Sequence, residues 1–252
     1  MPSLASEMAN WLRQQVQAAG SRGIVVGLSG GIDSAVVARV AQLAMPDHVM
    51  TVIMPAHSDP RDARDATLVA DAFTLPVMTV DLTASYDALL DAVQQTLGGA
   101  VRGQASTDDT STRLALANVK PRLRMATLYF VANKLNYLVA GTGNRSEIAI
   151  GYYTKYGDGG VDLLPLGMLV KSDVRALARA LGVPAPIIDK PPSAGLWSGQ
   201  TDEGEMGFTY ADLEDYLRKG PASVTPAVAM KIERLARVSE HKRHLPPVFQ
   251  PS

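Results

Sequence analysis

Residues 24–34 read Ile-Val-Val-Gly-Leu-Ser-Gly-Gly-Ile-Asp-Ser, an apolar strand-like run that ends in a glycine-rich turn. A helical pattern follows this turn over Ala35–Ala44. Gly30 and Gly31 let the backbone turn sharply and approach a ligand closely, and Asp33 or Ser34 can cap the helix. Backbone N–H groups at the start of a helix attract an anion. The stretch therefore predicts a strand, a phosphate-binding turn and a helix in succession.

The same letters allow other interpretations of the turn. A Walker A motif is excluded, because no Lys-Ser or Lys-Thr pair follows the glycines. The spacing from Gly27 to Gly31 also fits the G-x-S-x-G nucleophile elbow of α/β-hydrolases, with His241 as a conceivable triad member. That elbow normally follows several strands, whereas about one helix precedes the turn here. A glycine-rich turn that binds no ligand remains the structural alternative.

Strand and helix patterns alternate along the chain up to Ala140. Strand patterns occur at Ile24–Leu28, Val49–Met54, Val77–Leu82 and Tyr137–Ala140, and helical patterns at Leu4–Val16, Asp33–Ala44, Arg61–Phe73, Ala84–Leu97 and Leu114–Lys134. This alternation predicts an α/β fold, in which helices cover both faces of a parallel sheet. Ligands of such sheets bind beyond the carboxyl ends of the strands, where Ser29–Asp33 and Gly141–Glu147 both fall.

Two long polar segments, Gly98–Thr112 and Lys190–Gly207, show no periodicity. Long loops inside a compact chain are usually functional or disordered. We expect both to be mobile connections that close over the reactants. Helical patterns return at Tyr210–Lys219 and Pro226–Glu240.

Composition narrows the class of protein. The chain has 252 residues, 46% of them hydrophobic, which suits one α/β domain over residues 1–252. The net charge of −1 offers no general basic surface for a nucleic acid. The sequence contains no cysteine, which excludes disulfides, thiolate metal sites and a cysteine nucleophile. No run of about 18 apolar residues and no basic leader occur, so we expect a cytoplasmic protein that does not bind membranes.

The glycine-rich turn resembles the PP-loop of the ATP pyrophosphatases, which split ATP into AMP and pyrophosphate. Four further strings resemble NAD synthetase, in this order: Asn118–Arg124 (NVKPRLR), Gly141–Glu147 (GTGNRSE), Tyr153–Asp162 (YTKYGDGGVD) and Ser193–Glu203 (SAGLWSGQTDE). The Thr-Lys-Tyr-Gly-Asp-Gly string is highly specific, and the resemblance extends from about Ser3 to Arg243. The chain is thereby identified as a member of the ammonia-dependent NAD synthetase family, within the PP-loop superfamily.

This resemblance implies a Rossmann-like α/β fold of the adenine nucleotide α-hydrolase-like type. It also implies a ligase reaction in which the carboxylate of deamido-NAD (nicotinic acid adenine dinucleotide) attacks the α-phosphate of ATP and pyrophosphate leaves. Ammonia then displaces AMP from the resulting adenylate to give NAD. The family uses Mg²⁺ with ATP as co-substrate and forms homodimers. A GMP- or tRNA-directed PP-loop enzyme and a non-catalytic nucleotide-binding module are the rival interpretations.

The family's site residues are carried over to the matching positions of this sequence. ATP would be bound by the loop residues Gly27, Leu28, Ser29, Gly30, Gly31, Ile32, Asp33 and Ser34, together with Thr142, Lys171 and Ser193. Deamido-NAD would be bound by Arg122, Lys155, Asp162, His241 and Lys242. Asp33 and Glu147 would hold Mg²⁺, because carboxylate oxygens suit that ion. The structural alternatives are a helix-capping Asp33, solvated charges at Glu147 and Lys171, and a plain basic run at 241–244.

Three catalytic residues are expected: Asp33, Lys171 and Asp158. Asp158 lies on a glycine-flanked turn, where a carboxylate can attract ammonium and accept a proton from it. Its structural alternative is a hydrogen bond to the backbone of its own turn. Pro121 stands where the family commonly has alanine, so the helix either begins near Pro121 or kinks there.

The homodimer interface is not assigned by composition. The apolar and aromatic side chains of Tyr129, Phe130, Leu135 and Tyr137 suit either an interface or the core.

Overall fold

The computed structural model of the protein describes residues 2–100, 110–192 and 201–250. Strands β1 (Gly23–Gly27), β2 (Val49–Ile53), β3 (Val77–Thr79) and β4 (Tyr137–Ala140) form one parallel sheet within these residues. The strand order is β3-β2-β1-β4, so β1 is a central strand. This arrangement confirms the predicted Rossmann-like α/β fold.

Helices precede, connect and follow the strands. They are α1 (Pro2–Ala18), α2 (Ile32–Ala44), α3 (Pro60–Phe73), α4 (Thr83–Ala100), α5 (Thr110–Ala117), α6 (Val119–Leu135), α7 (Arg145–Ile150), α8 (Lys171–Leu181), α9 (Ala185–Asp189), α10 (Asp202–Met206), α11 (Tyr210–Lys219) and α12 (Pro226–Val238). Short 3₁₀ turns occur at Pro221–Ser223 and Glu240–Lys242. Across the described ranges, every helix is too short or too polar to span a bilayer.

The side chains of β1 alternate between two hydrophobic clusters, one on each face of the sheet. Ile24 and Val26 pack with α1, α2 and α8, whereas Val25 packs with α6. All three side chains are fully buried, as expected for a strand covered on both faces. The turn after β1 therefore starts from a rigid point in the molecule.

A third hydrophobic cluster lies away from the sheet and joins α7 to the C-terminal helices. Its buried members are Ile150, Met206, Phe208, Tyr210, Leu213 and Ile232. Since α7 follows β4 after four residues, this cluster fixes the direction in which the chain leaves the sheet. The C-terminal third of the chain thus positions residues at the carboxyl edge of the strands.

Several predicted element ends are shifted by one or two residues, and two predicted elements differ from the structure for an identifiable local reason. The third strand ends at Thr79 and not at Leu82, because the Asp81 carboxylate accepts a hydrogen bond from the Thr83 N–H at 2.9 Å and starts α4. The single helix predicted over Leu114–Lys134 is two helices, separated at Asn118. Pro121 has no N–H to bond the Ala117 carbonyl, so α5 ends there and Pro121 lies in the first turn of α6. Of the two outcomes expected at Pro121, a helix start is therefore correct.

The two predicted loops are shorter than their sequence suggests. The prediction for Gly98–Thr112 is wrong at both ends, because α4 reaches Ala100 and α5 begins at Thr110, while 101–109 lie outside the described residues. The prediction for Lys190–Gly207 is wrong at α10, which Thr201 caps by accepting a hydrogen bond from the Gly204 N–H at 3.3 Å. Residues 193–200 lie outside the described part.

Candidate active site

The glycine-rich turn lies between β1 and α2 and is braced by two serines. The Ser34 hydroxyl donates to the Gly31 carbonyl at 2.9 Å and lies 3.1 Å from the Ser29 hydroxyl. No side chain of the described residues caps α2, so the prediction that Asp33 or Ser34 caps this helix is wrong. The N–H groups of its first turn are therefore free of a side-chain acceptor and suit a phosphate.

Gly30 is required by its position. Its φ is +80°, and a Cβ atom there would lie 2.5 Å from the Asp62 carbonyl oxygen and 2.8 Å from the Asp65 Cβ. The carboxylates of Asp62 and Asp65 are in turn held by the Lys190 ammonium, at 2.9 and 2.6 Å. The turn thus packs directly on the start of α3.

Asp33, Glu147 and Lys171 meet at the carboxyl edge of the sheet, although they are far apart in sequence. The Lys171 ammonium lies 2.5 Å from Asp33 Oδ2 and 3.6 Å from Glu147 Oε1. Asn144 donates from Nδ2 to Asp33 Oδ1 at 3.0 Å, and it also caps α7, where its Oδ1 accepts from the Glu147 N–H at 3.1 Å. Glu147 and Lys171 are therefore not solvated surface charges, which was the structural alternative for both residues.

Burial and mutual charge determine the protonation of this cluster. Burial raises the pKa of the Glu147 carboxyl, and the neighbouring Asp33 charge adds to that effect. Burial alone would lower the pKa of Lys171, yet the carboxylates of Asp33 and Glu147 outweigh it and raise the pKa. Lys171 is therefore a charged ammonium held between the Asp33 carboxylate and the Glu147 carboxyl group.

Asp202 and Tyr210 lie beside this cluster and were not predicted as site residues. The Tyr210 hydroxyl donates to Asp202 Oδ2 at 2.8 Å, and the Tyr210 ring centroid is 5.3 Å from the Lys171 ammonium. Burial raises the pKa of the Asp202 carboxyl. Asp202 belongs to the Ser193–Glu203 string and so carried a signal, whereas nothing in the sequence marked Tyr210 or Asn144 as neighbours of Asp33.

Thr142 lies two residues after the end of β4, at the same edge of the sheet, and is partly exposed. Ser193, the remaining residue expected near ATP, lies outside the described residues.

Most residues expected to bind deamido-NAD form a second group, around the 151–160 loop. The Arg122 guanidinium lies 3.5 Å from the Lys155 carbonyl oxygen, and the Lys155 ammonium donates to the His241 carbonyl. The Lys242 ammonium donates to the carbonyls of Gly151 and Tyr153 at 2.7 and 2.6 Å. Burial lowers the pKa of Lys242. The basic run at 241–244 is thus tied to this loop and is not merely a solvated segment.

Asp162 lies apart from that group, on the outer edge of β4. Its Oδ2 accepts from the Val139 N–H at 2.8 Å, and its Oδ1 accepts from the Tyr129 hydroxyl at 2.9 Å. Both carboxylate oxygens therefore bind groups of the protein, a structural role that the sequence did not indicate.

Asp158 makes a hydrogen bond to the backbone of its own turn, which was the structural alternative to a catalytic role. Its Oδ1 accepts from the Thr154 N–H at 2.9 Å, within the turn. The residue as a whole is exposed, but the protein around its carboxyl group desolvates that group and thereby raises its pKa. The turn contact is compatible with a second role toward a ligand.

The protein is similar to known proteins over nearly its whole length. The family model described as NAD synthase matches residues 4–246. The NH(3)-dependent NAD(+) synthetase of Carboxydothermus hydrogenoformans is 49% identical over 96% of this chain and 95% of its own, and that of Syntrophomonas wolfei is 46% identical over 98% and 95%.

Solved structures share the fold over nearly the whole chain. An NMN synthetase from Francisella tularensis superposes with a TM-score of 0.88 at 36% identity, covering 99% of this chain and 98% of its own. The NH3-dependent NAD synthetase of Campylobacter jejuni has a TM-score of 0.78 at 26% identity, with the same coverage of 99% and 98%. With the matched family model and nearly full-length relatives, these findings show that the chain belongs to the NAD synthase family.

Proposed function

We propose that this protein is an ammonia-dependent NAD synthetase, a ligase that uses ATP to amidate deamido-NAD and releases AMP and pyrophosphate. The observation that carries the proposal is the meeting of Lys171, Asp33 and Glu147 beside an uncapped phosphate-type turn. The named relatives, which are 49% and 46% identical, support the same reaction. A cytoplasmic location belongs to the proposal, because the reaction consumes ATP.

A carboxylate does not react with ammonia directly, because its oxygen is a poor leaving group, so it must first be activated. Attack of the substrate carboxylate on the α-phosphate of ATP expels pyrophosphate and turns one carboxylate oxygen into part of a phosphate leaving group. Ammonia then attacks the activated carbonyl carbon, and AMP departs with that oxygen. The N–H groups at the start of α2 and the Lys171 ammonium would stabilise the negative charge of the departing pyrophosphate.

The residues present fit a magnesium ion. Asp33 and Glu147 already converge on one cation, the Lys171 ammonium. Within the described residues, no group of three or more histidine, cysteine, aspartate or glutamate side chains forms a metal cage. One or two carboxylates completed by phosphate oxygens and water are typical of Mg²⁺. When bound, the ion would neutralise phosphate charge, and Asp33 and Glu147 would hold it.

The 151–160 loop supports binding of the dinucleotide. Arg122, Lys155 and Lys242 place three cationic side chains around it, with His241 adjacent, and a substrate with two phosphates needs such charge. Asp162 could accept a hydrogen bond from a ribose hydroxyl only with oxygens that already accept from the Val139 N–H and the Tyr129 hydroxyl.

The function is tested by incubating the purified protein with ATP, Mg²⁺, ammonium and deamido-NAD. We expect NAD, AMP and pyrophosphate in equal amounts. The deamidated form of NMN is tested in parallel, because the NMN synthetase fold is similar. We expect a higher kcat/KM with the dinucleotide. The reverse preference would refute the substrate and keep the ligase reaction, and no AMP formation with either acid would refute the function.

The nitrogen donor gives a further prediction. The glutamine-hydrolysing enzymes that resemble this family use a cysteine nucleophile, and these 252 residues contain none. We expect NAD formation with ammonium and none with glutamine, measured on protein free of partner proteins. Efficient use of glutamine would contradict the prediction.

A catalytic role of Asp158 can be distinguished from a structural one by measuring the two half-reactions separately. We expect Asp158→Asn to keep pyrophosphate release with deamido-NAD, to raise the KM for ammonium sharply and to move the rate optimum to higher pH, where more free NH₃ is present. These changes follow if the carboxylate attracts NH₄⁺ and removes its proton. If the residue only stabilises its turn through the Thr154 N–H, both half-reactions weaken together and the ammonium KM is unchanged.

We infer that the enzyme is a homodimer that associates through α5 and α6. Phe130 on α6 is 73% exposed, and Leu114 on α5 is 50% exposed, whereas Tyr129, Leu135 and Tyr137 pack against the core. A contiguous exposed apolar patch marks a protein interface, and the packing of α5 on α6 places these two side chains on adjacent helices. We expect the parent protein to be dimeric by light scattering and Phe130→Glu to be monomeric. A dimer unchanged by this substitution would place the interface elsewhere.

A further inference from the structure

The Lys171 ammonium occupies the place where a divalent cation would bind. It lies 2.5 Å from Asp33 Oδ2 and is also paired with Glu147. Two cations cannot share one carboxylate oxygen at such distances without strong repulsion. A metal that binds Asp33 Oδ2 and Glu147 Oε1, the two oxygens that now face the ammonium, therefore requires the ammonium to move. Because Lys171 is only 3% exposed, its charge needs a new partner inside the protein.

Asp202 offers such a partner. Its Oδ2 accepts from the Tyr210 hydroxyl. The Tyr152 hydroxyl is also close to this carboxyl group but donates to Glu205, so the buried Oδ1 has no hydrogen-bond partner in the described part of the chain. A buried carboxylate oxygen without a donor is energetically costly, and such groups usually serve a ligand or a second conformation.

Tyr210 connects the two groups. Its ring centroid is 5.3 Å from the Lys171 ammonium, and its hydroxyl holds Asp202 at 2.8 Å. A lysine side chain can swing by several ångströms across an aromatic face, which itself attracts the cation. The charges also balance once the cation is bound, because a divalent cation favours the ionised form of all three carboxyl groups. Asp33, Glu147 and Asp202 with one ammonium then carry two formal negative charges, which the cation neutralises.

We propose that Asp202 is a positioning residue that receives the Lys171 ammonium when a divalent cation binds Asp33 and Glu147. The inference rests on the metal site of the proposed function. In the structure the Lys171 ammonium occupies the cation position between Asp33 and Glu147 and reduces the repulsion between their carboxyl groups. On metal binding it moves along the Tyr210 ring and pairs with Asp202 Oδ1.

The test is a double-mutant cycle that measures Mn²⁺ affinity by electron paramagnetic resonance on the full chain without nucleotide. The four proteins are the parent, Asp202→Asn, Lys171→Met and the double variant. We expect Asp202→Asn to weaken Mn²⁺ binding about tenfold in the parent and by less than about threefold in the Lys171→Met background. Asp215→Asn, which removes an exposed charge paired with Lys219, is the matched control and should change neither affinity.

Equal weakening in both backgrounds would overturn the proposal, because Asp202 would then act only through its own charge. A structure of the parent with Mn²⁺ alone provides a readout that needs no variant. We expect the Lys171 Nζ about 3 Å from Asp202 Oδ1; an ammonium that remains on Asp33 beside a bound metal would also overturn it. A protein that shows the coupling but forms no NAD would refute the proposed function alone.

Discussion

Asp33→Asn is expected to lower the rate of NAD formation on the order of a thousandfold, which corresponds to about 4 kcal/mol of transition-state stabilisation. The substitution keeps the shape of the side chain but removes one of the two carboxylates that converge on the cation position. The Asn144 amide and the Lys171 ammonium would both face a neutral group. The measurement is turnover as a function of Mg²⁺ concentration, with deamido-NAD and ATP saturating.

The fold should survive this change. Glu147 still compensates the Lys171 charge, so we expect a normal circular dichroism spectrum and a cooperative thermal transition. Asp215→Asn is the control for loss of a surface charge, and it should retain parental turnover. Near-parental activity of Asp33→Asn at limiting Mg²⁺ would show that Asp33 does not hold the metal.

Gly30→Ala is expected to impair both stability and activity. At φ +80° alanine is strained, and its Cβ would overlap the Asp62 carbonyl, a backbone atom with no freedom to rotate away. We expect a loss of about 3 kcal/mol in the free energy of unfolding. Displacement of the phosphate turn by about 1 Å should also lower kcat/KM for ATP roughly a hundredfold.

Gly182→Ala separates the two causes of this effect. Gly182 has a similar φ of +77° at the end of α8, but nothing lies within 4 Å of its Cβ position. Backbone strain alone should cost it about 1 kcal/mol and leave catalysis unchanged. The comparison uses thermal unfolding and ATP titration of both variants. If Gly30→Ala resembles Gly182→Ala in both measurements, close packing of the turn on α3 is not what requires glycine.

Local sequence was sufficient to predict β1 and the glycine-rich turn that follows it. The apolar run ending at Leu28 and the glycines after it form one continuous unit, whose conformation depends on neighbouring residues. The same is true of Pro121, whose missing N–H limits where α6 can begin. In each case the determining interaction spans a few residues.

The convergence of the site was not predictable in this way. Lys171 is 138 residues from Asp33, and only the packed fold brings them together. The resemblance supplied both positions, but neither their direct contact nor the neighbouring Tyr210. The contacts of Asp162 at the edge of the sheet were not predicted for a related reason. Its carboxylate accepts hydrogen bonds from Val139 and Tyr129, which are more than 20 residues away in the sequence. Helices of five or six residues, such as α9 and α7, are too short to show a period.

The contact between Asp162 and Val139 also bears on how this protein behaves at high concentration. A strand at the border of a sheet can act as a template on which another chain adds a strand, which leads to aggregation. Here the Val139 N–H on the β4 border is taken by a side chain, and the Val139 carbonyl accepts from the backbone of residues 162 and 163. On the opposite border, β3 is only three residues long. Strand-by-strand growth is thus disfavoured on both sides, which leaves the helices as the surfaces for orderly association.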